Sequence, residues 1–162
     1  MFIYNKISKL NFFKLDTAIS LPWIIWSLGA LFYFYENLLQ VSPGVMVQDL
    51  MESLSVNGTS LSNLASFYFY AYALIQIPAG ILIDNFKIKI ILLSALSFCI
   101  FGCLLFATSH EMVQASFGRS LIGIGSGFAA ISSMKLAVNW FEPKKFSFLV
   151  GLMVTLGMTG SI

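Results

Sequence analysis

An uncharged apolar stretch as long as a bilayer is thick leaves a chain few ways to fold, and this chain of 162 residues has three such stretches. Residues 17–35, 61–83 and 90–109 carry no charged side chain, and crossing a bilayer core takes about 20 apolar residues. A fourth run, 112–138, is interrupted by Arg119 and, near its end, by Lys135. A fifth begins at Phe146 and is still apolar at Ile162. None of the runs alternates in the manner of a membrane-barrel strand. Backbone in lipid must satisfy its own hydrogen bonds, so continuous apolar runs predict helices. The fold class read from the sequence is therefore all-α, a polytopic membrane helix bundle. Composition agrees: 58% of residues are hydrophobic and 10% charged, against roughly 25% charged in an average soluble domain. A small soluble domain leaves much of itself in water and has nowhere to hide that much apolar surface. A soluble enzyme, a disordered tail and a disulfide-stapled secreted domain are excluded. The net charge of +2 gives no footing for nucleic acid.

Lysine and arginine set the orientation, since short cytoplasmic loops collect them. With the N-terminus inside, Lys6, Lys9 and Lys14 fall in a cytoplasmic basic tail over residues 1–16. Lys87 and Lys89 fall in the loop after the second span, and Lys135, Lys144 and Lys145 fall around the end of the fourth. The opposite loops, 41–60 and 110–111, hold no lysine or arginine. The first run is not a cleaved signal peptide: it is too long and leads into Glu36, Asn37 and Gln40 without a small-residue cleavage site. The bundle then occupies 17–162, with spans near 17–40, 61–83, 90–109, 112–138 and 146–162, the last incomplete. Asn57-Gly58-Thr59 has the form of a glycosylation sequon, which has no meaning in a bacterial membrane.

Glu36 and Arg119 are the two ionisable groups well inside predicted spans. Such groups are costly in lipid and face a bundle interior, a partner or a water-filled path. At 1.5 Å per residue, Glu36 lies about 7 Å and Arg119 about 10 Å below the same outer edge. The matched depth predicts that they lie on the same side of the bundle and within reach of each other, directly or through water; the alternative is that each snorkels separately to the interface. Asn37 and Gln40 extend the polar stretch as candidate solute contacts or interface markers, and Gln40 shares the helix face of Glu36. Tyr68, Tyr70, Tyr72 and Gln76 carry the same two readings, with Pro78 expected to kink their span. Gly123 and Gly127 form a GxxxG pair with Gly125 between them, a pattern that lets helices approach closely. Cys99 and Cys103 have no histidine or carboxylate nearby, so no metal site is read there. No nucleophile, base and orienting group can be assembled, and no cofactor is implied.

Gly80-Ile-Leu-Ile-Asp84-Asn-Phe-Lys-Ile-Lys89 resembles the loop signature of the major facilitator superfamily, roughly G-x-L-a-D-r-x-G-r-[RK]. Gly80, Leu82, Asp84 and Lys89 match; Asn85, Lys87 and Ile88 depart from it. Arg119-Ser-Leu-Ile-Gly123-Ile-Gly125-Ser-Gly127 is similar to the R-x-x-x-G-x-G-x-G motif of the fourth helix in the same superfamily. Physically, Gly80 would let the helix turn sharply, and Asp84 would cap the next helix.

The resemblance implies twelve helices in two halves, a solute bound between them, and a gating latch at Gly80, Asp84 and Lys89. It also implies that Arg119 takes part in substrate or proton coupling. This chain corresponds to part of the amino-terminal half, with the carboxy-terminal half as a missing partner, and is expected to be inactive alone. The segments Tyr33–Met46 and Phe67–Gly80 look like bacterial facilitators related to the lysosomal dipeptide uniporter branch and to phagosomal amino-acid transporters. The implied solute is an amino acid or short peptide. Sugar phosphates or other organic anions are the alternative, as is a membrane fragment that does not transport. The implied location is a bacterial inner membrane.

Overall fold

The computed structural model describes residues 15–161. The basic tail with Lys6, Lys9 and Lys14 lies outside the described residues. Among those described the chain is helical from end to end: α1 (Leu15–Val45), α2 (Val47–Ser53), α3 (Gly58–Asn85), α4 (Ile88–Ala107), α5 (Met112–Ser126), α6 (Ala129–Trp140) and α7 (Pro143–Gly160). Local chemistry sets several of the boundaries. Asn57 caps α3, its Oδ1 accepting from Ser60 N at 2.9 Å. Ser55, at φ 52°, reverses the chain between α2 and α3. Pro143 opens α7, where its missing N–H costs nothing.

Among the described residues, three stretches are long and apolar enough to cross a membrane: α3, α4, and the continuous run Met112–Trp140 that α5 and α6 make together. The fourth span is thus two helices joined at Gly127 and Phe128. The joint is a tightened turn rather than a gap, because Phe128 N–H bonds to Gly125 O at 3.3 Å, three residues back. α1 is helical along the whole of the first apolar run, which ends before Glu36, and α7 along the fifth, with Lys144 and Lys145 in its first turn. The stretch expected as an outer loop is largely helical: α1 continues through Pro43, and α2 follows directly.

The α5–α6 run is the hub. α5 packs on α4 and α3, while α6 and α7 pack on α1. Burial says the same, covering 61% of the α5–α6 apolar stretch against 17% in α3 and 22% in α4. The outer helices leave Leu74, Ile77, Ile81 and Phe101 exposed, each more than half accessible. That is the pattern of a bundle whose outer face meets lipid. The core divides by level. Leu50, Leu54, Leu61, Leu64 and Ala115 close one end. Trp26, Ala30, Leu136, Leu149 and Met153 fill the other. Phe32, Ala79, Ala95, Cys99 and Phe128 lie in a third cluster contributed by α1, α3, α4 and the α5–α6 joint.

Two local expectations are corrected. α3 does not turn at Gly80; it runs on to Asn85, and a Cβ at Gly80 would meet nothing within 4 Å. Asp84 does not cap α4, because it still belongs to the last turn of α3 and the capping position falls to Lys87, which makes no side-chain cap bond. Asp84 instead accepts from Lys135 Nζ at 2.7 Å, joining α3 to α6. Lys89 is exposed and lies outside that ion pair.

Candidate functional site

Glu36 and Arg119 are both buried, 3% and 1% accessible, on facing sides of Tyr68. No direct contact joins them among the described residues, and both meet Tyr68. Tyr68 Oη donates to Glu36 Oε1 at 2.8 Å. The guanidinium of Arg119 lies over the same ring, 5.0 Å from its centroid, with Phe106 at 5.8 Å. One tyrosine thus meets the acid with its hydroxyl and the base with its face, which carries negative quadrupole density.

Arg119 is drawn away from Glu36 by a vacancy that Pro43 creates in α1. Proline has no N–H to offer the carbonyl four residues back, which here is that of Leu39. Arg119 Nη1 donates to Leu39 O at 2.9 Å and Nη2 to Gln40 O at 3.4 Å. Ser42 Oγ also donates to Leu39 O, at 2.9 Å. The arginine therefore ties α5 to α1 through backbone. Ser42-Pro43, four residues from Leu39, is the signal in the sequence that points to this partner. Arg119 Nε, although buried, has no hydrogen-bond partner among the described residues.

Beside Glu36 is a cavity of about 110 Å³ whose walls include Tyr33, Glu36, Asn37, Gln40, Tyr68 and Tyr72. The amides expected near Glu36 are thus on the same wall as the acid. Asn37 Nδ2 donates to Tyr33 O at 2.8 Å and reaches Glu36 Oε2 at 3.5 Å. Arg119 is not part of the lining. Gly157 of α7, on which no sequence motif falls, packs behind two residues of this wall. A Cβ there would collide with the Tyr33 ring and lie 3.0 Å from Asn37 Nδ2. A larger groove of about 500 Å³, lined by Ser60, Asn63, Phe67, Met112 and Ser116 among others, lies between α3 and α5 and carries no ionisable side chain.

The three glycines of the fourth span do not share one face. Gly123 and Gly127 abut α3, where a Cβ would collide with Tyr68 O and with Ile75 Cγ2 respectively. Gly125 abuts α4, where a Cβ would lie 2.6 Å from Ala95 O and from Cys99 Sγ. The Gly123 contact holds the backbone of Tyr68, so the glycine run and the polar site meet at one residue. Gly80, Asp84 and Lys89 lie toward the other end of α3 and the start of α4, apart from this cavity.

Membrane-length helices packed around buried ionisable groups define a multi-pass integral membrane protein. The chain belongs to the Major Facilitator Superfamily, whose sequence profile it matches over residues 17–162. That family is one of transport proteins, not enzymes. The chain is 24% identical over 134 residues to the lysosomal dipeptide transporter MFSD1 of Danio rerio, covering 80% of this chain and 28% of that protein. It is 25% identical to the Homo sapiens protein of the same name over the same shares. It is 27% identical over 123 residues to the uncharacterized transporter YybO of Bacillus subtilis, covering 76% of this chain and 28% of the relative. The chain thus spans little more than a quarter of the length of these relatives. No solved structure matches it significantly.

Proposed function

We propose that this chain contributes part of the amino-terminal bundle, over residues 17–162, of a carrier that moves amino acids or short peptides by alternating access. The observation that carries the reading is the buried Glu36 carboxylate on the wall of a small polar cavity, flanked by Asn37 and Gln40. A buried acid without a cationic partner is expensive, and in a membrane span it marks a functional path. The dipeptide-transporter names of the relatives support this solute class. In this reading Glu36, Asn37 and Gln40 contact the solute, and Glu36 can hold a proton when the site is empty. Arg119 fixes α1 against α5, so that movement of either helix is felt at the site. Gly80, Asp84 and Lys89 belong to a gate at the end where the lysines collect. The membrane is a bacterial inner membrane, with the N-terminus and the 87–89 and 144–145 loops in the cytoplasm.

The test is uptake of labelled leucine and dialanine into liposomes holding the protein together with any further chain its gene encodes. The expected result is saturable uptake that Glu36→Gln reduces and makes independent of pH. Uptake of neither solute, with a sugar phosphate carried instead, would overturn the reading.

A further inference from the structure

We infer that the cavity beside Glu36 recognises the ammonium group of its solute and makes no demand on a carboxylate, so that amines lacking an acid bind there as well as amino acids do. The inference rests on this cavity being the solute site, and it goes beyond that reading by dividing the two ends of the solute between groups that are present and groups that are engaged elsewhere.

The argument begins with unused hydrogen-bonding capacity. An ionised carboxylate has about four lone-pair positions. Glu36 spends one on Tyr68 Oη at 2.8 Å, and its second oxygen has only Asn37 Nδ2 at the 3.5 Å limit. No lysine or arginine lies within ion-pair distance of it among the described residues. A charge buried to 3% exposure with so few partners calls for a cation or a proton. The rest of the wall suits a cation. Tyr33 and Tyr72 line it beside Tyr68, whose own ring is already taken up by Arg119 and by stacking with Tyr72, centroids 6.0 Å apart. Aromatic faces attract ammonium groups, most strongly when water is excluded. A volume of about 110 Å³ holds an ammonium and a few carbons rather than a whole peptide.

The same contacts leave nothing for an anion. Arg119 is the nearest candidate for binding a carboxylate, but two of its nitrogens are engaged by Leu39 O and Gln40 O, its plane faces Tyr68, and it does not line the cavity. Freeing it would leave the Leu39 carbonyl, already deprived of a backbone donor by Pro43, with Ser42 alone.

The experiment measures thermal unfolding of the protein in lipid nanodiscs with leucine, leucinamide and N-acetylleucine at matched salt and pH. A ligand that binds the folded state raises the midpoint by linkage. Leucinamide and leucine are expected to raise it to a similar degree, and N-acetylleucine is expected to leave it unchanged. In Glu36→Gln the leucinamide affinity is expected to fall by about tenfold or more, a loss of about 1.4 kcal/mol. The ligand series on the unchanged protein decides the matter even where that variant does not fold. Stabilisation by N-acetylleucine, or by leucine without leucinamide, overturns the inference and leaves the amino-acid reading standing. Stabilisation by leucinamide without leucine upholds recognition of the ammonium group but overturns the equal binding of the two, and it overturns that reading as well. No shift with leucinamide or leucine overturns both.

Discussion

Tyr68 is the residue on which the buried charges depend, and its two contributions can be separated. Tyr68→Phe removes the hydroxyl that bonds Glu36 at 2.8 Å and keeps the ring beneath Arg119. The buried carboxylate then has Asn37 alone, so unfolding measured in detergent is expected to show a loss of about 1–2 kcal/mol. Arg119→Lys tests the other side. An ammonium is a point donor and cannot lie flat on a ring while reaching two carbonyls. The expected loss is about 2 kcal/mol, from one charged hydrogen bond and the stacking. A lysine variant as stable as the parent would show that the contacts to Leu39 and Gln40 contribute little. The sequence located both charges at one depth, and the structure does bring them to one side of the bundle. The partners themselves were not legible by comparing depths. Glu36 finds a tyrosine from a different helix, and Arg119 finds a carbonyl that Pro43 leaves open, both settled by packing rather than by spacing along one helix.

Among helices, close approach separates glycines that the sequence motifs treat alike. Gly123 faces the backbone of α3, where a Cβ has no room beside Tyr68 O. Gly123→Ala must push α3 and α5 apart, and overpacking of this kind costs about 1–3 kcal/mol. Gly80 lies inside α3, which continues to Asn85, and a Cβ there would meet open space. Gly80→Ala is therefore expected to hold or raise stability by up to about 1 kcal/mol, the helix-propensity difference between the two residues. Paired unfolding measurements on the two variants check both signs, and a destabilising Gly80→Ala would mean that this glycine has a neighbour outside the described contacts. The apolar runs made helices α3 and α4 legible almost to their ends, because length and hydropathy decide membrane helices. The interior of the fourth span was less legible. Its Gly-Ile-Gly-Ser-Gly segment reads as one helix by hydropathy, but the run tightens at Phe128, where successive glycines lower helix propensity. The helix α2 is not legible in hydropathy, because seven residues with an acidic first turn carry no membrane signal; Leu50, and Leu54 just beyond its end, hold it by packing on the start of α3 and α5.

At the scale of the whole molecule, the helices place all the described basic loops at one end. The α3–α4 turn carries Lys87 and Lys89, the α6–α7 turn leads into Lys144 and Lys145, and the Asp84–Lys135 pair joins α3 to α6. The opposite end is formed by α2, the start of α3 and the start of α5, with Asp49, Glu52 and Glu111 near it. The ion pair is half open to solvent, 34% and 71% accessible on its two side chains, and such pairs add little stability. The consequence of the charge asymmetry is orientation, since cations near span ends stay on the cytoplasmic side. Glu52 and Lys144 are both exposed and lie at opposite ends. Cys99 and Cys103 are unpaired, one buried and one partly so, and replacing both with alanine gives a background free of thiols. In that background Lys144→Cys, expressed in bacterial cells, is expected to resist a membrane-impermeant maleimide until the membrane is opened, while Glu52→Cys reacts from outside. Labelling of Lys144→Cys in intact cells would reverse the orientation, and the lysine-rich end with its Asp84–Lys135 pair would then face the periplasm.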